Sequence, residues 1–254
     1  MSVQVHGTTT VRELVGHFPR TRKVFEEFGI DYCCGGGKTL AEAAHASRTD
    51  VSALLAAIAE VISAPAAAAE ISERDWYSAS LHELVDQIIN VHHAYMKDAL
   101  PRIKELVRKV LHAHGAMHGN MLQRVNDLYL ALYDELISHL QKEEALLFPC
   151  IVAAETHRRD ASQWPAACFG PVENPIRQME HEHENAGHVL VEIRAVTGDY
   201  RLPEDACPTF RALYEELVRM EGDLHQHIHL ENNILFPRAL AAASSPPFGL
   251  VSLG

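Results

Sequence analysis

Residues 139–149 read HLQKEEALLFP, and residues 227–237 read HIHLENNILFP. Each stretch places a His four residues ahead of a Glu and then closes on Leu-Phe-Pro. In a helix, residues four apart share a face, with Cβ atoms about 5–6 Å apart. An imidazole and a carboxylate at that spacing suit iron, manganese or zinc. Two matched pairs in one chain therefore suggest a metal site, provided that other elements bring the pairs together.

Apolar periodicity supplies those elements. From Ser80, which with Glu83 matches a capping box, one helix carries Val85, Ile89, Met96, Leu100, Ile103 and Val107 on a single stripe. Pro101 interrupts it and is expected to kink it. A second helix carries Val125, Leu128, Leu132 and Leu136 and is expected to stop at Pro149. A polar loop with Trp164 and Gly170 follows. A third helix carries Ile176, Met179, Leu190 and Ile193, and TGDYRLPEDACP breaks it. The fourth carries Phe210, Leu213, Leu217, Met220 and Leu224 and ends near Pro237. Four amphipathic helices of this kind predict an all-α fold, a four-helix bundle.

The stripes also select the ligands. On the second helix the stripe continues to 139, 143 and 146, and on the fourth to 227, 231 and 234. His139, Glu143, His227 and Glu231 thus occupy positions where the pattern asks for Leu or Ile. A buried carboxylate without a partner is costly. In MEHEHENAG, His183 follows Ile176 and Met179 on the core stripe, and His181 falls off it. In NVHHAYM, His93 lies between Ile89 and Met96, with His92 one position round. Four His and two Glu, spread over four helices, suit two metal ions with each Glu bridging both, and leave positions open for a small ligand. One His on an apolar face is usually a satisfied core residue; two matched pairs at stripe positions favour the metal. His114 lies 21 residues beyond His93, about 31 Å along a continuous helix, and is left out of the site. His112, His118, His225 and His229 read as solvated surface residues, and Leu-Phe-Pro as a packing element and helix stop.

Residues 1–63 form a separate small helical domain. TTTVRELVGHFPRTRKVFEEFGI reads as two short helices, with Pro19 opening the second. Two more follow, with Thr39 and Asp50 as N-caps. The Ala/Pro-rich stretch 64–79 is a linker, residues 80–242 are the bundle, and 243–254 are a loosely held tail. Between the first two helix pairs lies DYCCGGGK. Adjacent Cys33 and Cys34 in a Gly-rich loop are expected to be accessible, able to bind soft metal or exchange thiols. Asp31 would not lower their pKa, whereas Lys38 would favour the thiolate. Two small loop residues are the bland reading; iron handover or electron supply is the functional one.

The totals narrow the remaining classes. A net charge of −12 without a basic run argues against nucleic acid and against a polybasic membrane patch. No apolar run approaches the roughly 20 residues of a membrane span, and no signal peptide is visible, so a cytoplasmic protein is expected. Five Cys, two of them adjacent, argue against a disulfide framework, and Cys150, Cys168 and Cys207 have no partner at motif spacing.

With these residues in place, the sequence resembles the RIC family of iron–sulfur cluster repair di-iron proteins. FGIDYCCGGG is similar to the family's ScdA-type leading domain. SHLQKEEALLFP, MEHEHENAG and HLENNILFPRAL are similar to its hemerythrin-like bundle. The resemblance implies two iron ions in an oxo-bridged non-haem centre. By motif its bridging carboxylates are Glu143 and Glu231 and its imidazoles His93, His139, His183 and His227. It also implies repair of clusters damaged by nitric oxide or oxidants. Damaged iron–sulfur proteins would be the partners and nitric oxide a small ligand, with a homodimer as the alternative to a monomer. Supply of iron to the damaged protein is the leading role. Binding or reduction of nitric oxide by the same centre is the second. An oxygen carrier or sensor is third, because a carrier has no need of the Cys-Cys domain.

Overall fold

The structure, a computed structural model, describes residues 5–64, 75–160, 168 and 173–244. Most of the expected linker, the loop with Trp164 and Gly170, and the tail from 245 lie outside the described residues. The described residues form helices and no β-strand; an isolated antiparallel bridge joins Thr10 and Thr39. The chain divides into two compact units. One comprises residues 1–80 with 228–238, the other residues 81–227 with 239–254.

The first unit contains α1 (Val11–His17), α2 (Thr21–Glu27), α3 (Leu40–Ala46) and α4 (Val51–Ser63). Helices this short are marginal alone, and their ends are well tied. Thr10 with Glu13, and Thr39 with Glu42, form reciprocal capping boxes. Asp50 caps α4 by accepting from the Ser52 amide. Gly29 follows α2 with φ +63°, the left-handed conformation that lets Ile30 N–H bond back to Phe25 O at 2.8 Å. Leu14, Phe25, Leu40, Leu54 and Ile58 fill the core. Residues 228–238 belong to the same unit. The Asn233 amide donates to the carbonyls of Tyr32 and Cys33, each at 3.1 Å, and Arg238 donates to those of Trp76 and Ala79.

The second unit is built on long helical rods. The first runs from α5 (Leu81–Gln87) through a π turn (Ile88–His93) into α6 (Ala94–Lys142). α6 reverses at His118, whose φ −121° and ψ 19° leave the helical region. Tyr129 Oη donates to Leu100 O at 2.9 Å, and Lys104 Nζ lies 4.0 Å from the Tyr133 ring centre, so the two limbs run antiparallel. The second limb passes through a π turn (Glu143–Leu147) into α7 (Phe148–Asp160). α8 (Glu173–Thr197) is the third rod. α9 (Pro208–Leu230) continues through a π turn (Glu231–Leu235) into α10 (Phe236–Ser244). This last rod is shared: its residues 228–238 fall in the first unit.

Three sequence expectations about the helices change. Pro101 sits inside α6 without breaking it. The lost hydrogen bond and the ring's clash with the preceding turn, together about 3 kcal/mol, are offset by burial of Met96, Leu100, Ile103 and Val107 on either side. Pro149 and Pro237 do not end their helices either. In each copy the turn ahead of the proline is a π turn: Phe148 N–H bonds to Glu143 O and Phe236 N–H to Glu231 O, five residues back. The wider turn accommodates the ring. It also inserts a residue into the stripe, so Leu147 is buried at 3% exposure while Leu146, the expected core position, is 63% exposed. The π turn at 88–93 does the same to the first rod, where Ile88 rather than Ile89 is fully buried.

The cysteines bring a fourth correction. Cys150 and Cys168 form a disulfide across 18 residues, with Cα atoms 5.6 Å apart. Such a pairing depends on where the chain returns, which spacing along the sequence does not reveal.

Candidate metal centre

The rods converge on a buried group of six side chains. His93 lies at the end of the first π turn, His139 in the last turn of α6, and Glu143 opens the second π turn. His183 projects from the middle of α8. His227 lies near the end of α9, and Glu231 follows one turn later on the same unbroken rod, opening the third π turn. All six are essentially inaccessible to solvent. Three of them, His93, Glu143 and Glu231, therefore lie in π turns, which are rare insertions that recur at functional sites.

Two four-residue groups emerge. His93, Glu143, His227 and Glu231 offer ligand atoms all within 4.8 Å of one another, and so do His139, Glu143, His183 and Glu231. Both carboxylates belong to both groups. Glu143 Oε2 lies 3.4 Å from His93 Nε2 and 3.3 Å from His139 Nε2. The Nε2 atoms of His93 and His227 are 3.2 Å apart, and those of His139 and His183 are 3.0 Å apart. Two ligand nitrogens about 2.1 Å from one ion, at right angles, stand about 3 Å apart. Two carboxylates buried together also call for shared positive charge, since each desolvated ion costs several kcal/mol. The donor set, its spacing and its charge fit a metal centre.

The outer nitrogens of two imidazoles are anchored by carboxylates that sequence reasoning missed. His93 Nδ1 is 2.7 Å from Glu144 Oε1, and His139 Nδ1 is 2.7 Å from Glu182 Oε2. Lys97 bonds both oxygens of Glu144 at 2.6 and 2.7 Å; Lys142 and Gln178 bond Glu182. The His139 hydrogen bond, joined by those from Lys142 and Gln178, outweighs burial and holds the Glu182 pKa at about 2. Burial works against ionisation of Glu144, but hydrogen bonds from Lys97 and His93 overcome it and bring its pKa below the usual carboxylate value. Ionised carboxylates only accept. His93 and His139 therefore carry their proton on Nδ1 and turn the Nε2 lone pair inward, the tautomer a metal requires. The visible signal was sequence adjacency: Glu144 follows Glu143, and Glu182 precedes His183.

The neighbouring histidines separate clearly. His181 is exposed, beside Glu184. His92 is buried but pairs with Asp223, with Nδ1 3.0 Å from Oδ1. His229 corrects the expectation of a solvated residue: it is 3% exposed. Its ring meets Tyr32 edge-on at 5.9 Å and its Nδ1 lies 3.1 Å from Asn233 Nδ2, and burial lowers its pKa to about 4. His118, also expected to be solvated, contacts Asp205.

Cys33 and Cys34 lie in the first unit and are less open than expected: Cys33 is 7% exposed and Cys34 is half-buried. Their sulfurs are 3.9 Å apart. Asp31 Oδ1 accepts from the amides of Cys33 and Cys34 at 3.0 and 2.9 Å and from the Cys33 thiol at 3.1 Å. Hydrogen bonding to Cys34 and burial push the Cys33 thiol well up, and the Asp31 carboxylate adds to the rise. Asp31, Cys33 and Cys34 also form a group with ligand atoms within 4.8 Å of one another.

A bundle with buried clusters of His and Glu defines the class: a hemerythrin-like cation-binding protein. Residues 84–239 match the Hemerythrin HHE cation binding domain, and residues 7–62 match ScdA_N, a domain of unknown function. The chain is 37% identical over 228 residues to the iron–sulfur cluster repair protein YtfE of Dickeya chrysanthemi, covering 90% of this chain and 95% of the relative. It is 38% identical over 232 residues to the YtfE protein of Musicola paradisiaca, covering 90% and 94%. The YtfE protein of Edwardsiella ictaluri is 38% identical over 228 residues, with 90% and 95% covered. The chain belongs to the YtfE family of iron–sulfur cluster repair proteins. No helix among the described residues is long and apolar enough to cross a membrane.

Proposed function

We propose that this protein repairs damaged iron–sulfur clusters and that its bundle is a di-iron store for that purpose. The observation that carries the reading is the sharing of both carboxylates, Glu143 and Glu231, between two groups that each add two imidazoles. His93 and His227 would hold one ion and His139 and His183 the other. When bound, two iron ions supply redox-active positions open to a small ligand such as nitric oxide, and iron for a damaged cluster protein.

The chain's own residues do the rest. Glu144 and Glu182 fix two rings and their tautomers, while Lys97 and Lys142 balance the charge behind them. The apolar stripes on either side exclude water. Cys33 and Cys34 would act after binding, as thiol ligands for iron in transit. The raised Cys33 pKa keeps that thiol protonated, so capture of a metal would release its proton. The names of the relatives support repair as the activity.

The test is reactivation of a nitric-oxide-damaged cluster enzyme by the full chain and by Cys33→Ser/Cys34→Ser. The parent should restore activity. The double variant should keep its iron and lose most of the restoration. Equal repair by both proteins would remove the thiols from the reading; no repair by either would remove the function itself.

A further inference from the structure

A second set of metal-binding side chains lies far from this centre. Residues 112–118 read HAHGAMH, three His in seven positions, and such tracts bind metal where their rings can converge. His114 and His118 are four residues apart on the first limb of α6, with ring centres 6.4 Å apart, and both flank Phe210, at 5.2 and 6.2 Å. The segment between α8 and α9 brings two more donors to these rings. Asp205 Oδ1 and Oδ2 lie 2.9 and 3.2 Å from His118 Nε2, and Oδ2 lies 3.8 Å from His114 Nδ1. Cys207 immediately precedes α9. Interaction with the His114 side chain, and with the amides of Phe210 and Thr209, lowers its pKa to about 7. His114 is 21 residues from His93, about 31 Å along the helix, so one ion cannot serve both places.

We propose that His114, His118, Asp205 and Cys207 form a second metal site that takes a zinc-like divalent cation. Two imidazoles, a carboxylate and a thiol are the donor types of zinc, and the thiolate selects against magnesium and calcium. His-x3-His on one helix provides two ligands from one face. The chain reversal at His118 and the start of α9 provide the rest, so the ion would clip the turn of α6 to α9. The His114 and His118 side chains are 12% and 25% exposed and that of Asp205 48%, leaving the mouth open to solvent. The ligand atoms of the four residues do not all lie within 4.8 Å of one another, so binding requires the imidazoles to turn about their side-chain bonds. Binding exchanges the His118–Asp205 hydrogen bond for ligation and releases the Cys207 proton.

Cobalt(II) is the probe, because only a thiolate ligand gives it strong near-ultraviolet charge-transfer absorption. The six side chains of the first centre include no thiol. The test is made in Cys33→Ser/Cys34→Ser, whose loop supplies no thiolate. That full-length protein, carrying its native metal, should take up one further cobalt per chain with the absorption, and zinc should displace it; adding Cys207→Ser should abolish the band. Asp205→Asn, which preserves shape, and His118→Ala should each weaken cobalt binding by at least about tenfold. His112→Ala should leave it unchanged. Absence of the band in Cys33→Ser/Cys34→Ser, or its survival once Cys207→Ser is added, would overturn the proposal. A smaller loss in either weakened variant would overturn the four-ligand assignment.

Discussion

Glu182 stands behind His139, its Oε2 2.7 Å from Nδ1, and so determines which ring nitrogen faces the bundle interior. Glu182→Gln keeps the shape but can present its N–H₂ instead of an ionised acceptor. The variant should fold, and its metal affinity should fall by about 10- to 100-fold. Competition with a chelator of known affinity measures this. Glu144→Gln should do the same through His93.

The same carboxylate should leave a trace in acid stability of the metal-free protein. The folded pKa of Glu182, about 2, lies below its ordinary value. Its stabilisation is therefore fully present above about pH 4.5 and is lost as pH falls through about 2. Acid unfolding of parent and Glu182→Gln should diverge above that window and converge within it.

Neighbouring histidines should behave oppositely. His183→Ala and His227→Ala should lose metal, because both rings belong to the buried groups. His181→Ala should keep it and leave stability unchanged. His229→Ala should also keep metal but lower stability by about 1–3 kcal/mol, since it removes a buried ring that Asn233 contacts. Metal analysis paired with urea unfolding separates the two effects.

Gly36 should prove intolerant of a side chain. A Cβ there would stand 2.1 Å from Asn233 Oδ1 and 2.7 Å from its Cγ. Gly36→Ala should cost about 1–3 kcal/mol. Asn233→Ala should also destabilise, because its amide serves the carbonyls of Tyr32 and Cys33. The double variant should lose less than the sum, since truncating Asn233 removes the clash. Urea unfolding of the four proteins tests that coupling.

Much of the candidate centre was legible from apolar periodicity. Leu136 leads to His139, and Leu224 to His227, at spacings that continue a core stripe, and a His or Glu there has to face inward. The π turns were not legible, because an inserted residue shifts the phase without altering composition; the stripe reaches Leu147 rather than Leu146 for that reason. Pro149 and Pro237 looked like stops because a proline in an ordinary turn is one. Glu144 and Glu182 escaped notice because their partners lie on other helices, 51 and 43 residues away. Nothing in the sequence separates His118 and His229 from solvated residues, because their partners, Asp205 and Asn233, are chosen by packing.

The central claim is that two ions share Glu143 and Glu231. The most direct measurement is the metal content of natively purified full-length protein, by elemental analysis against protein concentration. The account predicts about two iron atoms per chain. Stoichiometric zinc without iron, or a single iron per chain, would contradict it.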